Sequence, residues 1–480
     1  MGGYEAVIGL ECHVELNTAT KMFCPCRNTF GAEPNTNTCA VCLGHPGSLP
    51  VPNREAIARI VKIGLALGST IAPRSLFHRK NYFYPDMPKN YQISQYDLPV
   101  CVGGALEVDL PDGGTSRVKI TRVHMEEDTG KTTHGSGDGR IHDATQAAVD
   151  FNRAGVPLVE CVSEPDIRSP EEAGAYLREL RATLEALDVS DVRMEEGSLR
   201  CDANVSLRPA GSTGLGTKVE VKNMNSIRSL ERALAYEVQR QTAALDEGDA
   251  IVQETRHWDE DAGTTRSLRS KEEAFDYRYF PEPDIPALEP GPAWIDEIRA
   301  SLPELPRARR ERYVGELGLK PEVAGVLVAD PVAASLFDEV VTTSADPVLA
   351  ATVITQEVAA LRNAAGEGSL TSVHVAGAIA LLDDDTLSWP GLKRALAEAH
   401  ATGDPIDRVV ERLGLTQVSD AGALGALADA VIAENPDVVE KFRGGKDGVI
   451  GFLVGQLMKK AEGAANPALA NELLRERLDG

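Results

Sequence analysis

Residues Ile120–Lys131 read ITRVHMEEDTGK. Three consecutive acids, Glu126, Glu127 and Asp128, stand between His124 and Lys131, so either water surrounds them or positive charge shares their site. The alternating, β-branched residues before them predict a strand over 118–128. Successive side chains on a strand face opposite ways, which places His124, Glu126 and Asp128 on one face and Glu127 on the other. An oxygen-rich set with imidazole as the minority ligand suits a hard divalent cation.

The pattern recurs outward from this stretch. In GLECHVEL (9–16), Glu11, His13 and Glu15 alternate onto one face. In PLVECVSEPD (157–166), Glu160 interrupts an apolar strand, where a carboxylate needs a partner. In EEGSLRCDANVSLR (195–208), Arg200, Asp202, Asn204 and Ser206 line one face. A single His/Glu strand is more often a solvated outer face than a metal site. Four strands with the same pattern favour a carboxylate-lined Mg²⁺ site holding nucleotide phosphates, with two metals compatible with so many acids. A phosphate loop is excluded: DTGKTT (128–133) has the Gly-Lys-Thr, but the first glycine of that motif falls on Met125. GSGDG (135–139) reads as a flexible loop.

Two further clusters stand out. FCPCRNTFGAEPNTNTCAVCLG (23–44) carries Cys24-x-Cys26 and Cys39-x-x-Cys42, two chelating pairs with the ligand count of a structural Zn²⁺ knuckle. The other four of eight cysteines, Cys12, Cys101, Cys161 and Cys201, are scattered among apolar neighbours and read as buried small side chains. RSLFHRKNYFYPDMPKNYQISQYD (74–97) packs six aromatic residues in among Arg74, Arg79, Lys80 and Lys89. Aromatic faces stack on bases and cations take phosphates, which predicts nucleotide or RNA contact; an aromatic core under a basic rim is the alternative. In the tail, KFRGGKDGVIGFLVGQLMKK (441–460) sets Lys441, Arg443 and Lys446 beside glycines, a surface suited to a phosphate backbone or, equally, a solvated helix cap.

The whole chain has 480 residues, 42% of them hydrophobic and 25% charged, with 73 acids against 49 bases for a net charge of −24. That excludes a protein coated in non-specific nucleic-acid contacts, while leaving room for local basic surfaces. With neither a signal-peptide pattern at the N-terminus nor a long apolar run, the expectation is a cytoplasmic protein. Strands are expected near 4–16, 105–110, 116–125, 156–163, 192–207 and 217–222, and helices over 53–68, 170–188 and 227–246. A hairpin is expected over 253–270. At LEPGPAW (288–294) the texture turns helical, and ATGDP (401–405) marks a second break. The reading is α+β: a first domain over 1–293, a helical domain over 294–404 and a small helical tail over 405–480.

IGLECHVEL, FGAEPNTNTC, RKNYFYPDMPKNYQIS, HMEEDTGK, SEPDIRSP, MEEGSLRCDANVS, DYRYFPEPD and GFLVGQLMK occur in this order along the chain. Together they resemble the B-subunit family of the bacterial aspartyl/glutamyl-tRNA amidotransferases. The resemblance implies a cradle-shaped catalytic domain with a mostly antiparallel sheet, a helical region and a YqeY-like tail that engages tRNA. It implies ATP- and Mg²⁺-dependent phosphorylation of the side-chain carboxylate of Glu on tRNA-Gln or Asp on tRNA-Asn, followed by amidation with ammonia. It points to His13, Glu126 and Glu160 as Mg²⁺ ligands, and to Glu11 and Glu127 for a second metal or for guiding ammonia. Arg79, Lys80, Asp202 and Asn204 would serve the nucleotide phosphates, Lys441, Arg443 and Lys446 the tRNA, and Cys24, Cys26, Cys39 and Cys42 the zinc. The sequence holds no convincing Ser/Ser/Lys amidase or activated-cysteine glutaminase constellation. The resemblance assigns that task to an A subunit, with a small C subunit clamping a heterotrimer. Rival readings are a ligase for a free small carboxylate and a non-catalytic RNA-binding scaffold; the latter leaves Glu160 unexplained.

Overall fold

The computed structural model describes residues 3–135, 146–270, 277–343, 346–366, 368–417, 421–461 and 465–479. The loop GSGDG therefore lies almost wholly outside the described residues. The chain forms two compact units, Met1–Pro306 and Arg307–Gly480.

The strands of the first unit are β1 (Tyr4–Glu15), β2 (Thr70–Ile71), β3 (His78–Asn81), β4 (Tyr91–Ser94), β5 (Cys101–Val102), β6 (Ala105–Asp109), β7 (Thr115–Glu127), β8 (Lys131–His134), β9 (Ala147–Asp150), β10 (Pro157–Ser163), β11 (Leu199–Pro209), β12 (Val219–Met224), β13 (Glu254–Asp259), β14 (Thr264–Ser270) and β15 (Phe280–Pro281). Ten of them make one sheet in the order β14-β13-β12-β11-β1-β10-β7-β5-β2, with β6 added to β7. Its pairings are antiparallel except β12 with β13. A separate sheet, β15-β3-β4, and the hairpin β8-β9 complete the unit.

Helices α1 (Arg54–Ala66), α2 (Pro170–Ala186), α3 (Ile227–Asp246) and α4 (Pro292–Ala300) accompany the sheet. Each of the first three starts where a short polar side chain satisfies free N–H groups: Asn53 accepts from Glu55 and Ala56, Ser169 from Glu172, and Ser226 from Ser229. Strand alternation gives the centre of the sheet one apolar face. There Cys12 lies opposite both Cys161 and Cys201, and these small side chains share a core with Tyr176, Leu180 and Leu184 of α2. The scattered cysteines are thus buried, as their neighbours implied, and all eight are free thiols.

Departures from the sequence reading have local causes. Residues 194–197 form a turn, with Gly197 at φ 86° and Val192 just before it at φ 47°, so β11 starts only at Leu199. β3 and β4 escaped notice because aromatic residues occupy both faces of a segment interrupted by prolines. The first unit continues past the expected break at 293, because α4 adds Ile298 to the same core as Ile57 and Ile60 of α1. The second unit is helical. One apolar cluster runs from Tyr313 to Leu415 and another from Leu424 to Leu478. The helix Ile406–Leu413 gives Ile406, Val409 and Val410 to the first of these, so that cluster continues past 404. Among the described residues no helix is long and apolar enough to cross a membrane.

α1 approaches β5 closely at Gly64, where a Cβ would collide with the Cys101 thiol and come within 3.2 Å of Ile71 Cδ1. Gly64→Ala is expected to destabilise the first unit by about 1–3 kcal/mol through overpacking. Thermal melting of the purified chain checks this, and an unchanged midpoint would contradict the packing.

Candidate active site

The other face of the central strands is polar, and the register lines it up. His13 on β1 pairs with Glu160 on β10, which pairs with His124 on β7. On the far side, His13 lies opposite Arg200 and Glu11 opposite Asp202 on β11. Because directly opposed residues on antiparallel strands share a face, four strands build one row of acids and imidazoles.

Ligand-capable atoms in this row form two groups that share Glu160. Glu11, His13 and Glu160 make one; His124, Glu126 and Glu160 make the other, with the atoms of each group within 4.8 Å of one another. His13 Nε2 is 3.5 Å from Glu160 and 3.6 Å from Glu11, and His124 Nε2 is 3.4 Å from Glu160 and 3.6 Å from Glu126. The expected trio of His13, Glu126 and Glu160 is therefore divided between two groups, with Glu160 as the bridge. Arg122 Nε donates to His124 Nδ1 at 3.3 Å. His124 thus meets Arg122 through Nδ1 and the carboxylates through Nε2, while His13 Nε2 lies between Glu11 and Glu160.

The small sheet supplies the support. Ser94 Oγ donates to Glu126 at 2.7 Å and Gln92 Nε2 at 3.0 Å, while Lys80 Nζ stands 3.8 Å away, 5.1 Å from the centre of the Tyr277 ring. Burial alone would raise the Glu126 carboxyl, but Lys80 and His124 outweigh it and hold the group well below the usual range. Glu160, also buried, is likewise held down by His124 and His13. At Glu11 burial and the nearby Glu160 outweigh His13 and Lys222 and push the carboxyl up to about 7.

Each remaining acid of the opening triplet has its own cation. Glu127 points to the opposite side, where Lys89 pairs with it and Ile93 N–H donates at 2.9 Å. It belongs to neither ligand group, which removes the basis for a second-metal role. Asp128 accepts from Arg200 at 2.7 Å with Arg153 at 3.7 Å. Glu15, pressed against Asp128 and buried, is pushed up to about 8.

The phosphate candidates divide. Lys80 reaches the row. Arg79 does not: its guanidinium is held by Glu282 at 2.7 and 2.8 Å and lies 4.3 Å over the Tyr91 ring. Asp202 pairs with Lys222 of β12, a cation the sequence reading missed, and Lys222 also lies 3.1 Å from Glu220. Asn204 lies opposite Gly9, one step beyond the acids. Ser94, Gln92 and Lys222 were missed for a common reason: they reach the row from other strands. In the second unit Lys441 and Arg443 occupy the last turn of the helix Pro436–Arg443, and all three tail cations, Lys446 included, are exposed. A helix C-terminus favours cations in any case.

The four knuckle cysteines converge with their sulfurs within 4.8 Å of one another. Cys24 and the backbone N–H of Cys39 both hydrogen-bond to Cys42, and despite burial its thiol is drawn down to about 5. A ready thiolate among three more thiols fits a tetrahedral soft-ligand metal.

Residues 6–296 match the GatB/GatE catalytic domain family, and residues 335–478 match the GatB domain family. The chain belongs to this family. The B subunit of the aspartyl/glutamyl-tRNA(Asn/Gln) amidotransferase of Moorella thermoacetica is 52% identical over 99% of this chain and 100% of its own length. The proteins of the same name from Carboxydothermus hydrogenoformans and Anaeromyxobacter sp. strain K are 49% and 51% identical, covering 100% and 99% of this chain and 99% of each relative. The acid row and the thiol cluster both lie within the catalytic-domain match.

Elemental analysis of the purified chain should find about one zinc per chain, as a four-sulfur structural site requires, and Cys42→Ser should lower it. No zinc in the wild type would remove the knuckle assignment.

Proposed function

We propose that this chain is the amidating subunit of a glutamine-dependent tRNA amidotransferase. It phosphorylates the side-chain carboxylate of Glu on tRNA-Gln, Asp on tRNA-Asn, or both, and then joins ammonia to the activated carbonyl. The names of the full-length relatives support the substrates. The observation that carries the chemistry is the row of His13, Glu160, His124 and Glu126 across three adjacent strands. Ammonia cannot displace oxide from a carboxylate at neutral pH, so the oxygen must first become a good leaving group. A carboxylate oxygen attacks the γ-phosphorus of ATP, the bond to the bridging oxygen breaks, and ADP departs. Ammonia then attacks the carbonyl carbon, the carbon–oxygen bond to phosphate breaks, and the nitrogen loses a proton.

Glu160, common to both ligand groups, would hold Mg²⁺ together with His13 on one side or Glu126 on the other. When bound there, the ion supplies positive charge that offsets repulsion between substrate carboxylate and triphosphate. Ser94, Gln92 and His124 fix Glu126 and Glu160 in advance, and such preorganisation is what phosphoryl transfer needs. Lys80 faces the row from the β3 side and Lys222, oriented by Asp202, from the β12 side; both are placed to meet phosphate oxygens. Glu11, whose carboxyl burial and Glu160 push up, is placed to take the proton from nitrogen. Ammonia would come from an A subunit, with a small C subunit completing a heterotrimer. Lys441, Arg443 and Lys446 would meet the tRNA backbone, and the knuckle would carry structural Zn²⁺.

The test is a single-turnover assay of the chain with its A and C partners, ATP, Mg²⁺, ammonium and each misacylated tRNA, with the aminoacyl product analysed. ATP-dependent amide is expected on at least one tRNA, and their ratio identifies the substrate. ATP hydrolysis without amide on either would favour a small-carboxylate ligase. Glu126→Gln should lower amide formation by about 100-fold or more while leaving tRNA affinity unchanged; a fully active variant would sink the assignment.

A further inference from the structure

We propose that the four-cysteine knuckle is a positioning device for the acid row and acts through Gly44, Lys89 and Glu127. This extends the functional reading, which gives the knuckle only a structural metal. Two independent contacts join the knuckle to Glu127. The first passes through Gly44, two residues after Cys42. Its backbone has φ +68°, and a Cβ there would lie 2.7 Å from Lys89 Cγ and 2.9 Å from Lys89 Cα. The knuckle turn therefore presses directly on the backbone and stem of the lysine that neutralises Glu127. The second passes through Gly155, at φ +88°, around which Cys42 Cβ, Lys21 Cδ and Glu127 Oε2 converge: a Cβ on Gly155 would meet them at 3.6, 3.6 and 3.8 Å.

From Glu127 the coupling reaches the row in one residue. Gln92, on the strand that follows Lys89, donates to both the Glu127 carbonyl at 2.7 Å and the Glu126 carboxylate at 3.0 Å. The backbone of Ile93 next to it binds the Glu127 side chain. A shift of Lys89 thus moves the strand that orients Glu126. Gly44 and Lys89 are positioning residues, and a metal clamped by Cys39 and Cys42 would fix the turn that carries Gly44.

The turn contains its own control. Gly47 has φ +80°, so alanine there carries comparable backbone strain, but nothing lies within 4 Å of its Cβ. The experiment is amine labelling of the full-length chain by reductive methylation, followed by mass spectrometry, with zinc content measured in every sample. Exposed Lys131 is the internal reference. Lys89, buried and paired, should label slowly in the zinc-loaded wild type and in Gly47→Ala. It should label at least ten-fold faster in Gly44→Ala that retains its zinc, and in wild type stripped by a chelator. Equal Lys89 rates in the two alanine variants overturn the proposal. So does zinc loss from Gly44→Ala, or a Lys89 that stays protected after chelation; this last arm needs no variant to fold. Neither tRNA nor ATP enters the readout. Failure here leaves the amidation reading untouched, and a wild type that makes no amide leaves this result standing.

Discussion

Three consecutive carboxylates are buried together at the end of one strand, with Glu126, Glu127 and Asp128 only 4%, 2% and 3% exposed. Like charges so close, and out of water, have to be separated and neutralised. Strand alternation does the separating. Glu126 faces the acid row with Lys80 and His124, Glu127 faces the knuckle with Lys89, and Asp128 turns to Arg200 and Arg153. An exposed ion pair contributes about 0–1 kcal/mol. Stripping the partner from a buried charge costs about 3–5 kcal/mol, a large share of a typical total stability of about 5–15 kcal/mol. The cations are therefore conditions of the fold as much as features of the site. Between them they tie β3, the β3–β4 turn, β11 and the residues before β10 to the end of β7.

The chain as a whole is strongly acidic, yet cations surround the acid row. Glu126, Glu127 and Asp128 are each matched by a cation, and two lysines with partial exposure, Lys80 and Lys222, border the row from opposite directions. What remains in the row is a bridging carboxylate, Glu160, between two imidazoles whose orientations differ. His124 meets Arg122 through Nδ1, whereas His13 Nε2 lies between the carboxylates of Glu11 and Glu160.

Much of this could be read from the sequence, because period-two alternation is local. The strands of His13, Glu126, Glu160 and Asp202, the capped helices and the thiol pairs all follow from neighbouring residues. So does the outward turn of Glu127. Pairing between strands is not local. Nothing near Lys222 says that it meets Asp202, and nothing near Ser94 and Gln92 says that they hold Glu126. For the same reason nothing near Arg79 says that it meets Glu282, some two hundred residues away. Proline- and glycine-rich texture marks where chain direction changes, whereas an apolar cluster such as that of Ile57, Ile60 and Ile298 is set by contacts distant in sequence.

The proposed function rests on activation of a substrate carboxylate by phosphorylation at the acid row. Labelling the side-chain carboxylate of the misacylated tRNA's amino acid with oxygen-18 tests it most directly. In a single turnover with the partner subunits, ATP and ammonium, one labelled oxygen should appear in the inorganic phosphate as the amide forms. Amide accompanied only by unlabelled phosphate would contradict the account.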